Sequence, residues 1–193
     1  MVKPVFLFSQ TNPFGHKIPE RGLIAYYPNS SNKSLLYDSS ANGIHGLRYN
    51  TAAEKDRHSN LTYSCVFSGS TNSYAEIDAD SFLRDEYSIS LWFYLDNKLS
   101  SNSLQVLLEI GNNTSGSGQS IVLANNYMSN IDGVAVLGSN NSGTSLFVCQ
   151  SKSTIPIQEW VNIIAVRDNN SLSLYLNGKL IDRQTSATNN TPK

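Results

Sequence analysis

Residues 159–183 read EWVNIIAVRDNNSLSLYLNGKLIDR, and the alternation within this stretch decides the fold. Three apolar-patterned runs are joined first by Asp168-Asn169-Asn170 and then by Asn177-Gly178. Leu172, Leu174 and Leu176 fall on one face, with Ser171, Ser173 and Tyr175 on the other, a period of two rather than 3.6. An Asn-Gly pair between alternating runs is the strongest short-range hairpin signal, because a type I′ turn requires positive φ at both central residues. The stretch therefore spells a three-stranded antiparallel meander.

Working outward, the same pattern recurs. Gly22 to Pro28, GLIAYYP, reads as a short strand closed by proline, and Tyr37 to Asn50 is dense in turn formers. Leu61 to Phe67 and Tyr74 to Ile77 read as strands around a Ser68-Gly69-Ser70 turn. Ser88 to Leu95 places Ile89, Leu91, Phe93 and Leu95 on one face and Trp92 and Tyr94 on the other. Leu104–Ile110, Ser120–Ala124, Gly133–Leu137 and Ser145–Cys149 complete the set. Roughly ten short strands at turn-bounded intervals, with no helical stripe, predict an all-β sandwich.

The 193 residues suffice for one domain with a substantial core. A net charge of −1 and a pI near 6.3, with no basic stripe, argue against nucleic acid as a partner. No run approaches the ~20 apolar residues of a membrane span. The first residues do not read as a secretory leader, so a soluble chain is expected. Cys65 and Cys149 lie in alternating runs and read as buried thiols, with a single bridge left open.

Five blocks, in order, resemble the LamG-like jelly rolls of the concanavalin A-like lectin/glucanase superfamily: GLIAYYP, DSSANGIHG, CVFSGSTNSYAEID, YSISLWFYL and the terminal meander. The resemblance spans Gly22 to Asp182. It implies a two-sheet antiparallel jelly-roll sandwich over 22–193, and a non-catalytic binding or structural module. Members usually carry one more strand after the Asn-Gly hairpin, so Leu23–Tyr27 is expected to lack a neighbour. The arm of residues 1–21 carries a strand candidate, Val5 to Phe8, able to fill that gap in cis or in a second copy.

Candidate sites follow from chemistry. Tyr127, in the loop NNYMSN with Asn125 and Asn126, and Tyr49 are aromatic faces in polar surroundings, suited to stacking on a sugar ring. Trp92 and Trp160, inside apolar strands, read as core residues. Asp38 and Asn42 could offer oxygens to Ca²⁺, or stabilise a turn through their own backbone, which is the favoured role. Glu76 and Asp78 share a strand face, as a glycoside hydrolase requires of its carboxylates, but no tryptophan platform flanks them and the expectation is no enzyme. The expected partners are a glycan or a protein, with self-association through the arm. The expected setting is a virion or other extracellular particle, or alternatively a secreted or cell-surface one.

Overall fold

The computed structural model describes residues 2–5, 21–28, 34–58, 64–78, 86–111, 119–139, 146–168 and 171–185, with the backbone alone at 2–5, 139, 146 and 147. These residues form strands and connections with no helix. The meander appears as β12 (Trp160–Asp168), β13 (Ser171–Leu176) and β14 (Lys179–Thr185). Asn177 and Gly178 carry φ of 48° and 80°, the type I′ geometry that the Asn-Gly pair predicts.

β12 pairs on its other side with β7 (Tyr87–Leu95), and β7 with β1 (Val2–Val5), so the five-stranded sheet runs β1-β7-β12-β13-β14. Opposite it lies a four-stranded sheet, β11-β10-β9-β8, built from β8 (Ser103–Ile110), β9 (Gln119–Tyr127), β10 (Ile131–Ser139) and β11 (Leu146–Gln150). Strand alternation supplies the interior. Leu91, Phe93, Val161, Ile163 and Leu174 project from one sheet and Ile121, Leu123, Val134 and Val136 from the other into a single buried cluster. The architecture is an all-β jelly-roll sandwich.

Three departures from the sequence reading have local causes. Residues 23–28 join no sheet: the carbonyls of Leu23 and Ile24 and both backbone groups of Tyr26 bond to the loop at 38–42 instead of to a ladder. The N-terminal strand is Val2–Val5, pairing in cis with Trp92–Leu95, whereas the expected Val5–Phe8 shares only Val5 with it and its remainder lies outside the described residues. Trp92 and Trp160 are half-buried on the outer face and absent from the main cluster, since Leu91, Phe93 and Val161 take the inward positions. The Arg57 guanidinium covers Trp92, 4.6 Å from the ring centroid.

Cys65 and Cys149 are both buried free thiols. Cys149 donates to the Leu172 carbonyl at 3.0 Å. Burial, reinforced by the Asp182 charge, pushes its thiol up to about 11. Among the described residues no helix is long and apolar enough to cross a membrane.

Candidate functional site

Beside the two main sheets stands a small one, with β2 (Leu35–Leu36), β3 (Gly46–Tyr49) and β6 (Tyr74–Ile77) in that order. A separate hairpin pairs β4 (Thr51–Glu54) with β5 (Ser64–Phe67). In the small sheet Leu36, Arg48 and Gly46 turn inward and are buried, so their neighbours must face water. Gly46 is required by close approach: a Cβ there would lie 2.5 Å from the Glu76 carbonyl oxygen and 2.9 Å from Ile77 Cγ1.

The outward face carries chemistry. Leu35 pairs with Leu47, Leu47 with Glu76, and Tyr49 with Tyr74. Directly opposed residues share a face, so these five side chains form one surface. Leu35, Leu47 and Tyr74 are 37%, 47% and 42% exposed, unusual for large apolar groups gathered in so small a sheet. The Tyr49 and Tyr74 rings stack at 4.7 Å with planes 26° apart. The Tyr49 hydroxyl donates to Glu76 Oε1 at 2.7 Å, and this bond, followed by partial burial and by the charges of Glu76 and Tyr74, raises its phenol above the ordinary value.

A second aromatic pair sits at the other end of the same sheet. Tyr37, following β2, stacks on His45, preceding β3, with centroids 4.7 Å apart. His45 Nδ1 accepts the Asp38 N–H at 3.1 Å, which fixes the ring. Four residue steps along the strand take His45 to Tyr49, roughly 13 Å at the usual rise. The stretch is bounded by aromatic pairs, floored by leucines and edged by a carboxylate. The far end is held by Asn50, whose Nδ2 donates to the Asn72 carbonyl at 2.9 Å, and by Ser73, whose hydroxyl donates to the Asn50 carbonyl at 2.9 Å.

Asp38 and Asn42 underlie this sheet as a staple. Asp38 Oδ1 accepts the N–H groups of Tyr26 and Ser40, and Oδ2 accepts the Ile44 N–H and the Ser40 hydroxyl, at 2.7–2.8 Å. Burial works to raise this carboxyl, but the converging donors outweigh it and hold the pKa below the ordinary value. Asn42 turns its Nδ2 to the carbonyls of Leu23 and Ile24. Four donors thus converge on the Asp38 carboxylate and the Asn42 Nδ2 donates to two backbone carbonyls, a geometry that stabilises the turn. Among the described residues no group of three or more His, Cys, Asp or Glu side chains is placed to hold a metal ion.

The other sequence candidates lie elsewhere. Asn125, Asn126 and Tyr127 end β9, and the expected loop shrinks to a turn at Met128–Asn130. Asn125 Nδ2 donates to the Leu99 carbonyl at 2.8 Å, and the Asn126 N–H donates to Asp132 Oδ1 at 3.0 Å. Tyr127 packs against Val122, Ala124, Ile131 and Ala135 on the outer face of the four-stranded sheet. Asn125 borders a cavity of about 70 Å³ with Lys98, Asp132 and Thr154, room for waters but not for a sugar ring. Glu76 is tied to Tyr49, and Asp78 follows the end of β6. Sequence reasoning missed Tyr74, although its alternation with Ala75 and Glu76 was visible.

Residues 68–193 match the family described as the concanavalin A-like lectin/glucanases superfamily, and the chain belongs to it. No curated protein matches the chain. Two solved structures are similar in fold. One is Domain 4 of AbnA, a GH43 extracellular arabinanase from Geobacillus stearothermophilus, in complex with arabinotriose; it is 17% identical, with 81% of this chain and 72% of that one covered and a TM-score of 0.58. The other is the binding domain of Paraclostridial Mosquitocidal Protein 1, 17% identical over 86% of this chain at a TM-score of 0.67. This chain spans 41% of that one's length.

Proposed function

We propose that the chain is a non-catalytic carbohydrate-binding module that seats a short glycan on the exposed face of β2, β3 and β6. The observation that carries this reading is the Tyr49–Tyr74 stack tied to Glu76, continued by leucines to the Tyr37–His45 pair. Sugar rings present flat apolar faces rimmed by hydroxyls. Exposed aromatic and aliphatic side chains match the faces, and Glu76 offers a hydrogen-bond acceptor to the hydroxyls. A carboxylate at the edge of the surface favours neutral glycans over acidic ones. The likeness to a domain solved with arabinotriose agrees with this reading. Attachment at a cell or particle surface is the setting it fits.

Hydrolysis fits the geometry less well. A retaining glycosidase holds two carboxylates roughly 5–5.5 Å apart about the scissile bond. Here Glu76 is engaged by Tyr49 and Asp78 lies beyond the strand.

The test is titration calorimetry against arabinan, xylan and glucan oligosaccharides with the native chain and Tyr74→Ala. Saturable binding to at least one neutral glycan, weakened about tenfold or more by the substitution, supports the proposal. Equal affinity in both proteins removes the platform from the mechanism. Release of reducing ends by the native chain, lost in Glu76→Gln, makes it an enzyme.

A further inference from the structure

His45 closes the loop that carries the platform's second aromatic pair. Its Nδ1 accepts the Asp38 N–H at 3.1 Å, and Asp38 Oδ2 in turn accepts the N–H of the neighbouring Ile44 at 2.8 Å. These two bonds join residue 38 to residues 44 and 45 at the neck of the loop. Tyr27 adds a third tie, its hydroxyl donating to the Ile44 carbonyl at 2.7 Å. One of the three depends on a proton. A neutral imidazole has one N–H and one bare nitrogen, so an accepting Nδ1 places the proton on Nε2. The cationic ring carries N–H at both positions and has nothing left to accept with.

Histidine side chains take up that second proton between about pH 5 and 8. An N–H on Nδ1 would then face the Asp38 N–H, donor against donor, and the ring must turn away. Turning breaks its stack on Tyr37, where the centroids lie 4.7 Å apart and the planes 20° from parallel. His45 is exposed, so water can hydrate the cation. Along the described elements beside it the charged side chains are mostly carboxylates. Asp38 lies on the loop, and on the facing strand Asp78 follows Ile77, the register partner of Gly46, with Glu76 two residues earlier. Arg48, on the same strand as His45, is buried on the other face. The donors around Asp38 hold its carboxyl below the ordinary value, so it stays ionised through this window.

We propose that His45 is an acid-sensitive latch: a proton taken up on Nδ1 releases the Asp38 N–H, unstacks Tyr37 and opens one end of the β2-β3-β6 platform. Where that platform seats a glycan, a consequence that rests on the function proposed above, mild acid weakens the grip.

The test is an NMR titration of the full chain from pH 7.5 to 5.0, without ligand. The His45 ring should carry its proton on Nε2 at pH 7.5, and the Asp38 amide and Tyr37 ring signals should shift with the midpoint of its titration. His45→Asn offers an oxygen that accepts without titrating, so the Asp38 amide should stay bonded at both ends of the range. His45→Phe can stack but not accept, and should leave that amide released throughout. In calorimetry, a glycan bound at pH 7.5 should bind about fivefold more weakly at pH 5.0, the worth of roughly one hydrogen bond, with no such change in His45→Asn. Both variants keep Glu76 and Asp78, so a pH dependence that persists in His45→Asn belongs to those carboxylates and overturns the latch. An Nδ1–H tautomer at pH 7.5, or an Asp38 amide indifferent to the His45 titration, overturns it too. Absence of glycan binding at both pH values removes the platform's function instead, and the Asp38 and Tyr37 signals then uphold or overturn the latch by themselves.

Discussion

Asp38 accepts the backbone N–H of Tyr26 at 2.8 Å, joining two segments twelve residues apart in a buried charge-assisted hydrogen bond. The same carboxylate takes three further donors, from Ser40 and Ile44. It replaces the strand ladder that residues 22–28 lack, and anchors the loop from which His45 and β3 emerge.

Asp38→Ala should therefore destabilise the chain by roughly 3 kcal/mol, because several buried N–H groups lose their acceptor. Urea denaturation followed by tryptophan fluorescence measures this. The pH dependence has a definite sign. The folded pKa lies below the unfolded one, so the contribution is present above the ordinary aspartate value and is lost as pH falls through the depressed folded value. A wild-type denaturation midpoint that drops in acid, with a flatter profile for Asp38→Ala, is the expected result.

Gly46→Ala should disturb the platform without touching any side chain on it. The added methyl meets the Glu76 carbonyl and Ile77, forcing β3 and β6 apart. We expect a loss of about 1–3 kcal/mol, as for overpacking, together with weakened glycan binding. Thermal unfolding and calorimetry on one sample read both.

Tyr49→Phe removes the hydroxyl that holds Glu76 while leaving the ring on Tyr74. Since the bond is at the surface, stability should change by less than about 1 kcal/mol. Glycan affinity should fall as Glu76 loses its fixed position. Unchanged affinity would show that the carboxylate needs no orientation.

Phe93→Ala, in the fully buried centre of β7, should cost about 3–5 kcal/mol. Met128→Ala, at a 67% exposed turn position, should cost less than about 0.5 kcal/mol. Chemical denaturation of the two variants separates the sandwich interior from its rim.

Cys149 should resist alkylation by iodoacetamide at neutral pH in the folded chain and react after unfolding. Its sulfur is buried, and the raised pKa leaves little thiolate to react. Mass spectrometry of labelled peptides checks this.

The sandwich was legible because its strands alternate over long runs. Tyr87–Leu95 and Trp160–Asp168 hold the period of two for nine residues each, and Asn177-Gly178 marks its turn unambiguously. The short strands were not. Gly46–Tyr49 and Thr51–Glu54 span four residues each amid turn formers, too few to establish a period. Tyr49 was recognised as an exposed aromatic, but its partner Tyr74 stands 25 positions onward in register with it. That register depends on Gly46, the Asp38 staple and the Asn50–Asn72 bond acting together, and local pattern carries no record of them. Tyr127 misled for the opposite reason: its polar neighbours look like a loop, yet β9 runs through them.

The platform rests on a small sheet whose exposed residues contribute nothing to the main buried cluster. Sequence drift on that surface is thus free of the stability threshold that constrains Phe93 or Ile163. Descendants of this scaffold can exchange tyrosine for tryptophan, or glutamate for lysine, and so retune what they recognise while the architecture beneath stays unchanged.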